Sequence, residues 1–143
     1  MVLLLGLLGL TSNGCESSKV QCDLLCVSTI TFALTTPVAG SDIAISMDFP
    51  DHTNVTLDCQ AGDASWSCTP LPAQLIPIFD AQGSLSSMTT SSSSPLEGQY
   101  HLTITVDGVP KADTTVQYAR TPNGSGCAGS PCYKPATFPV TTT

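Results

Sequence analysis

The chain has 143 residues, with 4 Lys+Arg against 11 Asp+Glu, a formal net charge of −7 and a hydrophobic fraction of 41%. One domain fits that length, and so few cations exclude both a nucleic-acid backbone and electrostatic adhesion to an anionic membrane surface as partners. Charged residues are only 10% of the chain, against about 25% in an ordinary soluble domain; 17 Ser and 19 Thr take their place, which favours strands and loops over long helices.

Residues 2–10, VLLLGLLGL, carry no charge. A helix crossing a bilayer needs about 20 apolar residues, so this run reads as the h-region of a secretory signal. No Lys or Arg precedes it. Either the α-amino group of Met1 supplies the positive charge, or the true start lies upstream. Ser12-Asn13-Gly14-Cys15 follows. Here the sequence resembles a bacterial lipoprotein signal, in which a small residue immediately precedes a Cys that becomes lipid-modified. Gly14 and Cys15 fit; Ser12 stands where that signal prefers Leu. The resemblance implies a signal peptide over 1–14, a lipid on Cys15 and export to the cell envelope as an outer-membrane lipoprotein; simple secretion is the alternative.

The seven cysteines are Cys15, Cys22, Cys26, Cys59, Cys68, Cys127 and Cys132. An odd count in an exported chain leaves one unpaired. Placing a lipid on Cys15 leaves six, enough for three disulfides in an oxidising compartment. The spacings Cys22-x3-Cys26 and Cys127-x4-Cys132 are looser than the two-residue knuckles of a zinc ribbon, so disulfides are expected.

Residues 16–26 read as a polar tether between anchor and body, and 27–143 as a single domain. Alternation with period two dominates that body. Ile30, Phe32 and Leu34 share a face, as do Ile43, Ile45, Met47 and Phe49, with Pro37–Gly40 as the turn between the two runs. Val55, Leu57 and Cys59 alternate next, followed by a short strand with Trp66 and Cys68. Residues 74–80 carry Pro77 and read as an edge or irregular strand. Residues 84–98 are rich in Ser and Thr; the expectation is a weak strand near 84–89 and then a flexible loop. Tyr100, Leu102, Ile104 and Val106 make the clearest strand, ended by Asp107-Gly108. Thr114, Val116 and Tyr118 alternate again, and a last strand spans 133–141 with Phe138 and Val140.

No window shows a 3.6-residue period. The expected fold class is all-β: an antiparallel β-sandwich, immunoglobulin-like in the broad sense, with 7–9 strands. Cys59 and Cys68 are too close in sequence to bridge two sheets across a core. The segment Glu97-Gly-Gln-Tyr-His-Leu-Thr-Ile-Thr-Val-Asp-Gly108 resembles a strand of prealbumin-like and carboxypeptidase-regulatory-like domains. The tail from Tyr118 to Cys132 is similar to small exported lipoproteins of Gram-negative soil bacteria, which supports location and fold only.

The hairpin around QAGDASWS allows a detailed expectation. Placing Cys59 opposite Cys68 sets Ala61 opposite Trp66, closes a two-residue loop at Asp63-Ala64, and sends Val55, Leu57, Cys59, Trp66 and Cys68 to one face; a neighbouring register with a longer loop is the alternative. Opposed Cβ atoms lie about 4.5–5.5 Å apart, within a small adjustment of the ~3.8 Å a disulfide needs. Cys127–Cys132 is then expected as a second local bridge and Cys22–Cys26 as the third; the rival pairing crosses these last two.

Candidate chemistry is sparse. Asp48, Asp51 and His52 would suit a divalent metal, with His101 as a weak further ligand, but residues three apart on a strand face opposite ways. There is no Gly-x-Ser-x-Gly elbow and no cofactor motif. Asn54-Val-Thr56 and Asn123-Gly-Ser125 are sequons that matter only in a eukaryotic secretory pathway. The functional expectation is a non-catalytic envelope module that binds an envelope protein or a surface polymer through its loops, with 86–98 and 119–132 as the long candidates. The alternative is a metal-binding protein or metal-dependent enzyme using Asp48, Asp51 and His52.

Overall fold

The computed structural model describes residues 27–71, 74–92, 94–125 and 131–143. The signal, Cys15, the tether and the Cys22, Cys26 and Cys127 pairings lie outside those residues.

Among the described residues there are eleven strands and no helix. They are β1 (Ser28–Val38), β2 (Asp42–Asp48), β3 (Asn54–Ala61), β4 (Trp66–Thr69), β5 (Ile76–Phe79), β6 (Leu85–Ser92), β7 (Gly98–Val106), β8 (Val109–Tyr118), β9 (Pro122–Ser125), β10 (Pro131–Tyr133) and β11 (Ala136–Val140). One sheet runs β11-β1-β6-β5 and the other β4-β3-β2-β7-β8, with β9 and β10 as a small separate pair. The fold is the expected all-β sandwich, and the short strands β9 and β10 carry the count past the expected range.

The five-stranded order matches the sheet of a variable-type immunoglobulin domain, and β1-β6-β5 matches part of the facing sheet. The outer position beside β1 is filled from the C-terminus: β11 pairs with β1 in parallel, Phe32 opposite Phe138 and Leu34 opposite Val140. Every other pairing is antiparallel.

The alternating apolar residues explain the layers. Ile30, Phe32, Ile43, Ile45, Met47, Leu57, Tyr100, Leu102 and Ile104 are all 2% exposed or less, each large aliphatic group among them worth about 1.5–3 kcal/mol of burial. Phe32 packs across the core on Tyr100, with ring centroids 5.9 Å apart. No disulfide joins the sheets through the described residues. Cys59–Cys68 instead links β3 to β4 within one sheet, in the expected register of Asp58 opposite Thr69 and Ala61 opposite Trp66. Gly62 N–H donates to Ser65 O at 2.9 Å and closes the turn around Asp63-Ala64. Trp66 packs partly buried against the core.

Two expectations are corrected. The strand expected near 84–89 is present as β6, but it runs on to Ser92, so 86–92 are not part of a recognition loop: β6 sits between β1 and β5, with Leu85 and Met88 fully buried and Met88 opposite Phe32. Its Ser and Thr residues hid the strand's full extent because only two apolar side chains mark its inner face, and a register shift breaks their spacing. Residues 119–132 are not one long loop either, since they include β9 and the start of β10. Pro77 does lie on an edge strand, β5.

Candidate functional site

The strands carry the chain back and forth between two ends of the sandwich. One end holds the connections β1–β2, β3–β4, β5–β6 and β7–β8, all short; it is called the hairpin end. The other holds β2–β3, β4–β5, β6–β7 and β8–β9; it is called the corner end.

At the hairpin end, polar groups satisfy one another. Asp107 and Gly108 form the β7–β8 turn with φ of 49° and 78°, the left-handed pair that a two-residue hairpin favours. The Asp107 carboxylate accepts from Asp42 N–H at 2.9 Å, Ser41 N–H at 3.1 Å and Ser41 Oγ at 3.0 Å. Those bonds, Asp42 first, hold its carboxyl below the ordinary range. Trp66 stacks on Phe79 at 4.4 Å and 7° and donates from Nε1 to Gly83 O at 2.9 Å. The groove left here, about 310 Å³, is bordered mainly by small residues such as Gly40, Ala61, Gly62 and Gly83.

The corner end is built differently. Tyr100, third residue of β7, donates its hydroxyl to Leu96 O at 2.8 Å. A tyrosine near the start of a strand bonding back to the preceding connection is the tyrosine corner of immunoglobulin-type sandwiches. Burial pushes the Tyr100 phenol up to about 12, so it stays neutral and keeps donating. Gly98 has φ 129°, and a Cβ there would lie 2.9 Å from Pro50 Cβ; only glycine suits both the backbone and the close approach. Arg120, the chain's single arginine, completes the clamp. Its Nε donates to Pro95 O at 2.7 Å, its backbone N–H to Glu97 Oε1 at 2.8 Å, and its guanidinium lies 5.2 Å from the Tyr133 ring centroid.

The β2–β3 turn is equally fixed. Phe49 N–H bonds Thr53 O at 2.8 Å and His52 N–H bonds Phe49 O at 2.9 Å, with His52 at φ 67°. Asp51 Oδ1 accepts from Thr53 N–H at 3.0 Å and from Thr53 Oγ1 at 2.6 Å, and these bonds hold its carboxyl below the ordinary range. Between this turn and the clamped 94–97 segment opens a cleft of about 230 Å³. Phe49 and Tyr100, edge to face at 5.6 Å, Asp51, and a group of Ser and Thr residues line it.

The four metal candidates are not brought to one point. Asp48 and His101 are opposed on β2 and β7, and His101 bridges two carboxylates: Nδ1 to Asp48 Oδ2 at 3.2 Å and Nε2 to Asp113 Oδ1 at 2.7 Å. Both ring nitrogens are thereby engaged. The Asp113 and Asp48 hydrogen bonds raise the His101 pKa, and those from Asn54 and His101 lower that of Asp48. His52 borders the same shallow groove as Asp48 and His101, whereas Asp51 lines the corner-end cleft. Among the described residues no group of three or more His, Cys, Asp and Glu is placed to hold a metal ion. Asn54 of the first sequon spends its Nδ2 on Asp48 Oδ1 at 2.7 Å and Ser46 Oγ at 3.0 Å. Sequence reasoning missed Asp113 and Arg120; the register of β7 with β8 is the signal that would have placed Asp113 on the face of His101.

Cys132 is also disulfide-bonded. No described helix is long and apolar enough to cross a membrane. The chain matches no family model, no curated protein and no solved structure.

Proposed function

We propose that the chain is an exported, lipid-anchored envelope protein whose β-sandwich is a non-catalytic binding module, with recognition at the corner end. The observation that carries this reading is the preformed cleft between the β2–β3 turn and the 94–97 segment. Both walls are held by internal hydrogen bonds, so a ligand meets an ordered surface and loses little conformational entropy in ordering it. The apolar run of 2–10, Gly14-Cys15 and the odd cysteine count support export and a lipid on Cys15. Several acyl chains on one cysteine would anchor stably where a single chain would not. The partner is an envelope protein or a surface polymer.

Two experiments test it. Mass spectrometry of the mature N-terminus should find an acylated Cys15; a free, unacylated terminus at or beyond Cys15 removes the anchor. Affinity capture from envelope extract should recover material with the full chain and lose it when Leu96→Asp places a charge at the cleft. Recovery of nothing, with stoichiometric metal in the purified protein, would favour the metal-binding alternative.

A further inference from the structure

The lining of the corner-end cleft restricts the chemistry of its occupant. Among the described residues Asp51 is its only charged one, and no described Lys, Arg or His borders it. Phosphate, uronate and other anions would meet a carboxylate without a compensating cation. Arg120 is not among the described lining residues, and its Nε is committed to Pro95 O. A purely apolar occupant is disfavoured too, because Thr53, Thr90, Ser91, Ser92 and Ser94 contribute to the lining. Thr53 and Ser92 already have partners, but burying the Thr90, Ser91 and Ser94 hydroxyls against hydrocarbon would leave them unpaired.

A hydroxyl both donates and accepts, so a row of them suits a ligand whose own groups do the same. The remaining parts fit that partner. Both Thr53 hydrogen bonds fall on Asp51 Oδ1, which makes Oδ2 the oxygen available to a ligand hydroxyl. Gln74 adds an amide and Phe49, half-buried, adds an apolar surface on a rigid turn. At about 230 Å³ the cleft is smaller than the roughly 300–1,000 Å³ that take drug-sized ligands.

We infer that the cleft binds one ring of a neutral sugar, either free or as a unit of a neutral surface polysaccharide. The inference rests on the binding-module reading and names its ligand class.

The test is an amide chemical-shift titration of the ¹⁵N-labelled full chain with methyl glycosides of glucose, galactose and N-acetylglucosamine, and with glucuronate. At least one neutral glycoside should shift amides in 49–53 and 94–100, saturably and in the millimolar range, and leave 39–41 and 62–65 unmoved; glucuronate should not. Asp51→Asn, which keeps an oxygen for Thr53, should weaken binding about tenfold. Thr90→Val, on the inward face opposite Ile30, should weaken it measurably, and Thr105→Val on the far face should not. A neutral tetrasaccharide binding much more tightly than the single ring identifies a polymer as the source; equal affinity identifies the free sugar. Shifts confined to the hairpin end, glucuronate binding as well as the neutral sugars, or unchanged affinity in both cleft variants overturns the inference. If no sugar moves the cleft while captured envelope protein does, the sugar class is wrong and the binding module stands. If neither does, both fail.

Discussion

The two ends of the sandwich use the same kinds of residue to opposite effect. At the hairpin end, a carboxylate, an indole and a disulfide each find their partner inside the fold: Asp107 caps Ser41 and Asp42, Trp66 bonds Gly83, and Cys59 joins Cys68. Little side-chain chemistry is left over for a ligand. At the corner end, Tyr100, Arg120 and Thr53 spend their hydrogen bonds on holding two walls apart, and the surface between those walls remains open. At one end the contacts use up the polar side chains; at the other they shape a cleft between two walls.

The largest expected effect falls on the hairpin end. Replacing Cys59 and Cys68 together with Ala should cost roughly 2–3 kcal/mol by restoring loop entropy to the unfolded chain. Chemical denaturation would measure it, and the 94–100 amide shifts should stay in place, because the ends are held independently.

Gly98→Ala strikes the corner end with a cost of about 1–3 kcal/mol. It forces φ 129° on a residue with a Cβ and drives that Cβ against Pro50. Next is Tyr100→Phe, which leaves Leu96 O without its donor and should cost about 1 kcal/mol. It should also broaden the 94–97 amides and leave Trp66 fluorescence unchanged. A change at Trp66 would mean that the two ends are coupled.

Smaller still is the pH response of the Asp48–His101–Asp113 row on the outer face. The folded pKa of His101 is raised above the ordinary 6.5. The stability this contributes is therefore complete below pH 6.5 and is lost as pH rises through the raised value. Asp48 is lowered below 3.8, so its share is present above pH 3.8 and is lost as pH falls through the folded value. All these groups are well exposed, where ion pairs stabilise little. Thermal melts should show a shallow fall in stability above pH 6.5 that His101→Gln removes. The smallest effect is expected of Tyr118→Phe. The Tyr118 hydroxyl is buried without a hydrogen-bond partner among the described residues, so its removal should be neutral or slightly stabilising in the same melts.

The sequence revealed what depends on local alternation. Ile30-Phe32-Leu34 and Tyr100-Leu102-Ile104 announce their strands because every second side chain is apolar and buried. Cys59–Cys68 was legible because a short hairpin fixes which residues oppose. Of β6 only the first part was legible, as a weak strand near 84–89; its extent to Ser92 was not, since the burial of Met88 comes from Phe32 on another strand rather than from local composition. The parallel pairing of β11 with β1 joins residues more than a hundred positions apart, and no local pattern encodes it. The cleft was hidden for a related reason. Its walls are ordinary Ser, Thr and Phe residues from separate connections, and only the fold makes them a site. The Gly98-x-Tyr100 pattern was visible as a resemblance; the structure supplies its physics, a glycine bend followed by a tyrosine that ties down the connection before it.

Hydrogen–deuterium exchange of the full chain, with and without material captured from envelope extract, tests the difference between the ends most directly. New protection confined to 49–53 and 94–100 is the predicted result. Protection at 39–41, 62–65 and 80–84, with the corner end unchanged, would contradict it and move recognition to the hairpin end.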